Sequence, residues 1–129
     1  MLSAKSSPVA LARAYHNHWR AGRFDLAADL LAETVEIETP INAYASKADF
    51  TAALTGFGTL VADVTNFIEL AGVNDVVQMY DMDVTGLGMI RIAEHFVIAN
   101  EKIARLRQIH DTALLRAAGF ERQALAIVG

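Results

Sequence analysis

The run QMYDMDVTGLGMIRIAEHFVIANEKIARLRQIHD, Gln78 to Asp111, constrains this chain more than any other stretch. Ile90, Ile92, Glu94, Phe96 and Ile98 alternate with Arg91, Ala93, His95 and Val97, the period-two pattern of a strand with two unlike faces. One face is oily and carries a single acid, Glu94. After it, Leu106, Gln108 and His110 oppose Arg105, Arg107 and Ile109; arginines are solvated more easily than buried, so Gln108 and His110 point inward with Leu106. Before it, Gln78, Tyr80, Met82 and Val84 oppose Met79, Asp81 and Asp83, which puts Tyr80 inside and both aspartates outside. Three antiparallel strands follow, with turns at Gly86 and Gly88 and at Asn100-Glu101. An apolar sheet face that also holds Tyr80, Glu94, Gln108 and His110 is patterned as a pocket rather than a plain core.

The amino-terminal half reads as helices. Ser7 before Pro8 is a helix start, and Val9, Ala12, Tyr15, His16 and Trp19 recur at helical spacing to about Arg20, where Gly22 ends the helix. A second helix is expected from Phe24 to about Ala32, burying Leu26, Leu30 and Leu31, with Asp25 near its positive end. VEIETP forms a short strand with Val35, Ile37 and Thr39 inward, and Pro40 ends its pairing. Ser46 and Asp49 predict a capped helix from Lys47 to about Phe57, with Phe50, Ala53, Leu54 and Phe57 on its apolar face. A strand then runs from about Val61 to Ala71, and a turn at Gly72 to Asp75 leads into the alternating run. Asp111 caps a last short helix, TALLRAA, closed by Gly119; beyond it Leu125, Ile127 and Val128 are placed to pack on a neighbour.

With 129 residues the chain fits one domain, core about 9–119, able to bury a core without metal or disulfide staples. The absence of cysteine removes thiol chemistry and thiolate metal sites. A net charge of −4 gives no basic footprint for nucleic acid. The longest uncharged run, Phe50 to Ala62, is too short for a membrane span, and the start lacks a signal-like apolar core, so a cytoplasmic protein is expected. The 53% hydrophobic content lies slightly above the ordinary range for soluble domains, leaving apolar surface for a cavity or a subunit interface.

The segments YHNHWRAGRFDLAADLLAETVEIETP, RIAEHFVIANEKIARLRQIHD and LLRAAG, in that order and spacing, resemble the SnoaL-like branch of the nuclear transport factor two-like superfamily from about Val9 to Gly119. The resemblance implies a cone-shaped α+β fold, three amino-terminal helices packed on a curved, mostly antiparallel sheet that encloses a cavity. Relatives include steroid isomerases, polyketide cyclases, limonene epoxide hydrolases and non-catalytic binders, so the fold does not choose the activity. By resemblance to the isomerases, Tyr15 and Glu94 match an oxyanion-binding pair, but Thr39 before Pro40 stands where the base would be. In the cyclases and hydrolases a last-strand aspartate does the acid–base work, and Gln108 stands there; an amide holds an oxygen but shuttles no proton. The hydrolases' second aspartate and arginine are not reproduced by MYDMD.

Each candidate residue has a plain alternative. Glu94, desolvated, can stay protonated and donate to an oxyanion beside Tyr15, or serve as a structural carboxylate satisfied by Tyr15 or a helix end. His110 is the inward group able to replace the missing base, or is a hydrogen-bonded core histidine. Gln108, Trp19, Tyr80 and Thr39 would contact a ligand; aromatic residues at helical spacing, and Tyr44 with them, also serve as ordinary core. Asp81 and Asp83 share a face but offer too few oxygens for a divalent cation, with Arg91 across the hairpin as a partner. His16 and His18 lie on different helix faces and make no metal pair, and His95 belongs to the outer sheet face. Two function classes follow. One is an enzyme without cofactor or metal, of isomerase, cyclase or hydrolase type, acting on a small apolar, oxygen-bearing molecule. The other is a binding or structural protein of the same fold, dimeric through the outer sheet face.

Overall fold

In the computed structural model, which describes residues 7–119, the element order is α1 (Pro8–Arg20), α2 (Phe24–Asp29), β1 (Leu31–Glu38), α3 (Lys47–Gly58), β2 (Val61–Ala71), β3 (Asp75–Val84), β4 (Gly88–Ala99), β5 (Lys102–His110) and α4 (Ala113–Ala117). The expected α+β architecture is present: one five-stranded sheet in the order β1-β5-β4-β3-β2, with α1, α2 and α3 preceding the meander. Three pairings are antiparallel, and only β1 with β5 is parallel. Leu125, Ile127 and Val128 lie outside the described residues.

Local chemistry sets the element ends. The Ser7 hydroxyl accepts from the Ala10 amide at 3.1 Å and Ser46 from the Asp49 amide at 3.1 Å, so both helices begin where a side-chain oxygen replaces a missing intrahelical acceptor. Asp111 accepts from the Ala113 amide at 2.9 Å and so starts α4. Asn100 and Glu101 both have positive φ, 52° and 59°, as a two-residue hairpin matched to strand twist demands.

Helix α2 is shorter than its composition suggests. It ends at Asp29, and Leu31 already belongs to β1, opposite Ile103. The Ile103 amide donates to the Leu30 carbonyl at 2.8 Å, drawing the chain into the sheet three residues early, so tertiary pairing overrides helix propensity. Leu26 is consequently 45% exposed, and Ala27 and Ala28 make the buried contact instead.

The inner face of β4 is as the alternation requires: Ile90, Ile92, Glu94 and Phe96 are buried, with Ile103 and Leu106 of β5 beside them. Tyr15 and Trp19 of α1 join this core. On the outer face Asp83 is exposed, whereas Asp81 is only 6% exposed, covered by the partner expected for it across the hairpin, Arg91. Arg91 Nε and a terminal guanidinium nitrogen donate to it at 2.6 and 3.0 Å, and Asn66 at 2.8 Å. Those hydrogen bonds, Arg91's foremost, bring its pKa down to about 2. Asn66 has φ 56° inside a register shift of β2, a bulge that an asparagine tolerates.

The fourth turn of α3 is placed by glycine. A Cβ on Gly58 would meet the Phe24 ring at 2.5 Å, so the absence of a side chain lets α3 close against α2. Along α3, Phe50 is buried while Ala53, Leu54 and Phe57 are half-buried. Their free sides border a pocket.

Candidate functional site

Strand register builds the polar part of this pocket. Gln78, Glu94 and Gln108 lie directly opposite one another on β3, β4 and β5, and the next inward row is Tyr80, Ile92 and His110. Glu94 thus has Gln108 beside it and Tyr80 on the diagonal, the spacing at which long cross-strand side chains meet. The Tyr80 hydroxyl donates to Glu94 Oε1, and Gln108 Nε2 donates to Glu94 Oε2 at 2.8 Å. Both carboxylate oxygens are held.

Burial dominates the electrostatics. Glu94 is 2% exposed, and desolvation raises its pKa although the hydrogen bonds from Tyr80 and Gln108 pull it down. Tyr80 and Tyr15 are both pushed well above the ordinary phenol value, first by burial and then by the nearby Glu94 charge, so both remain phenols.

The pocket has a volume of about 450 Å³. Trp19 of α1, Phe50 and Phe57 of α3, Met82, Ile90 and Ile92 of the sheet and Leu115 of α4 supply apolar wall; Tyr80, Glu94, Gln108 and His110 supply polar groups. His110 Nδ1 lies 3.0 Å from the Asp111 carbonyl oxygen. A carbonyl only accepts, so Nδ1 carries hydrogen, and in the neutral ring Nε2 keeps the lone pair.

Two sequence candidates occupy different positions from their neighbours. Tyr15 is not in the pocket wall: it packs edge-on to Phe96, centroids 5.7 Å apart, in the layer behind Glu94, and its hydroxyl has no hydrogen-bond partner among the described residues. Thr39 is in the wall, but its hydroxyl donates to the Asn42 carbonyl at 2.6 Å and accepts from the Asn42 amide at 2.9 Å, clasping the turn after β1. Trp19, Tyr80, Glu94, Gln108 and His110 come together as one wall.

Sequence reasoning did not find Asn42, which lines the pocket from a loop without periodicity, and left Tyr44 undecided between wall and core. It also missed the role of His16. That ring lies 4.9 Å from Tyr80, 5.1 Å from Trp19 and 5.0 Å from Phe67, centroid to centroid, and burial lowers its pKa to about 4. A second polar chain backs the site: Arg13 pairs with Glu69, which accepts from Gln78 Nε2 at 2.9 Å. Among the described residues no group of three or more His, Asp or Glu is arranged to hold a metal ion, and no helix is long and apolar enough to cross a membrane.

A five-stranded sheet and helices bordering a pocket give the chain a nuclear transport factor two-like fold. More narrowly, residues 12–106 match the SnoaL-like domain, and the chain belongs to that family. No curated protein matches the sequence. Solved structures share the fold. A nuclear transport factor two-like protein of unknown function from Cytophaga hutchinsonii is 14% identical, TM-score 0.75, covering 89% of this chain and 99% of that one. A putative polyketide cyclase from Xanthomonas campestris pv. campestris is 17% identical, TM-score 0.74, over 89% and 98%. A steroid delta-isomerase from Pseudomonas aeruginosa is 17% identical, TM-score 0.73, over 99% and 98%.

Proposed function

We propose that this SnoaL-like protein is a cofactor-independent enzyme that moves a proton within a small, apolar, oxygen-bearing molecule held in the pocket. The observation that supports this is the convergence of a buried, hydrogen-bonded phenol–carboxyl pair, Tyr80–Glu94, and a histidine with a free lone pair, His110, in one mostly apolar pocket. His110 Nε2 takes a proton from the ligand. Tyr80 gives its hydroxyl proton to the oxygen on which charge develops, and neutral Glu94 replaces it, so the proton count of ligand plus protein is conserved. An isomerisation or a ring closure has that balance. Tyr15, in the layer behind, holds the Glu94 environment dry.

The test is deuterium uptake. Apolar hydroxylated and carbonyl compounds that quench the single tryptophan, Trp19, are incubated with the protein in D2O, and mass spectrometry reads incorporation at carbon. Uptake that disappears in His110→Ala, with binding retained, supports the enzyme. Ligands that bind to the parent protein without uptake would leave a binding protein in its place.

We further propose that the outer sheet face pairs with a second copy. Ile68, Met79, Ala93 and Ile109 form one register-aligned row across four strands, and Ile109 is 73% exposed. The row is flanked by Asp81–Arg91 on one side and by Asp75, His95 and Arg107, linked at 2.9 and 3.0 Å, on the other. These charges are already matched within one copy, so two such faces meet without an unpaired charge.

A further inference from the structure

We propose that the ligand meets β5 as a hydrogen-bond donor, so that the pocket selects an alcohol or phenol over the matching ketone; this narrows the ligand-pocket reading above and rests on it. The side-chain donors of the row around Glu94 are already used, while Trp19 and Tyr44 carry their N–H and O–H away from β5, on α1 and on the loop before α3. Gln108 Nε2 is spent on Glu94 Oε2 at 2.8 Å, and in the resting pocket the Tyr80 hydroxyl is engaged by Glu94 Oε1, turning to the ligand only when charge develops on its oxygen. What β5 has left are lone pairs. The amide oxygen of Gln108 has no partner among the described residues, and Gln108 is half-buried in the pocket wall. His110 gives its Nδ1 hydrogen to the Asp111 carbonyl, which leaves Nε2 of the neutral ring as an acceptor.

Gln108 and His110 are two residues apart on one strand face, so their Cα atoms stand about 6.6 Å apart along the strand. Around them Phe50, Phe57 and Ile92 offer neither donor nor acceptor, and Trp19 offers an N–H but no acceptor. A ligand carbonyl set there faces two lone pairs and gains nothing, whereas a hydroxyl satisfies either one. Protonation of Glu94 does not change this side of the pocket. A proton on Oε1 makes that oxygen the donor to Tyr80 and frees the Tyr80 hydrogen on the β3 side, but Oε2 still accepts from Gln108, so the Gln108 amide orientation stays fixed.

The experiment compares 2-adamantanol with 2-adamantanone, equal in shape and differing at one oxygen, by Trp19 fluorescence titration at pH 8, where histidine is ordinarily neutral. The alcohol should bind about tenfold more tightly, the ratio given by roughly one good hydrogen bond. In His110→Phe and in Gln108→Leu, with folding checked by circular dichroism, the preference should fall by about threefold or more in at least one variant. Equal or tighter ketone binding to the parent protein overturns donor recognition while leaving the pocket reading standing. Failure of both compounds and of every other apolar probe to bind overturns the pocket reading together with it.

Discussion

Glu94 and Gln108 face each other directly across β4 and β5, and the amide nitrogen lies 2.8 Å from the carboxyl oxygen. This contact orients Gln108 and satisfies one side of a buried acid. Desolvation has raised the folded-state pKa of Glu94, so its contribution to stability is largest in acid and is lost as the pH rises from the unfolded carboxylate value through the folded one. Glu94→Gln keeps the shape without the charge: its amide oxygen still accepts from Tyr80, and its NH2 donates to the Gln108 oxygen once that amide turns over. It should be at least as stable as the parent at pH 8, whereas Glu94→Leu, which strands Tyr80 and Gln108, should lose about 1–3 kcal/mol. Urea unfolding of the three proteins at pH 5 and 8 measures this, and a Gln variant weaker than the Leu variant would contradict it.

His16 has the opposite sign. Its folded pKa of about 4 lies below the ordinary histidine value near 6.5, so its neutral form supports the fold fully above that value. As the pH falls from 6.5 to 4, the unfolded chain binds the proton first, and stability drops by up to roughly 3 kcal/mol. His16→Phe, which fits the same aromatic cluster, should flatten that part of the pH–stability curve. Denaturation midpoints at pH 7.5, 5.5 and 4.5 decide it.

Removing Arg91 should release Asp81. Arg91→Gln deletes the principal cause of the low Asp81 pKa, which should rise from about 2 toward the usual aspartate range, leaving Asn66 as the remaining donor. Carboxyl-carbon NMR titration follows it; an unmoved value would mean that the Arg91 contact does not form in solution.

Ala53 borders the pocket from α3, and Ala53→Phe fills it with an aromatic ring while the buried anchor Phe50 stays in place. Ligands that quench Trp19 in the parent should lose at least about tenfold in affinity, a steric exclusion worth more than one methylene contact. Unchanged titrations would place the ligand elsewhere.

On the outer face, Ile109→Glu puts like charges opposite each other in a symmetric pair, or at least a charge against the apolar row. Sedimentation velocity should show the parent as a dimer and the variant as a monomer. A monomeric parent would end the pairing proposal.

The sheet was the most legible part of the sequence. Alternation named the inward side chains of β3, β4 and β5, and the register then brought Tyr80, Glu94, Gln108 and His110 to one wall. Alternation cannot say how deep a helix residue lies behind that wall, so Tyr15 and Trp19, four residues apart on one face of α1, were equal candidates; the structure puts Trp19 at the pocket and Tyr15 behind it. The Asp81–Arg91 pair was legible across the hairpin, but the Asn66 contact escaped because it comes from a bulge, and a bulge interrupts the very period that identifies a strand. Leu26 and Leu31 went astray for a related reason: a leucine stripe fits a helix until a distant strand, here β5, claims one end of it.

Helix α3 gives one wall to the pocket yet sinks just one side chain, Phe50, fully into the core. A wall with one fully buried side chain and the half-buried Leu54 and Phe57 is more lightly anchored than the hydrogen-bonded sheet opposite it. The division leaves room for change: new residues along Ala53, Leu54 and Phe57 can reshape the pocket without disturbing Tyr80, Glu94, Gln108 and His110 across the gap.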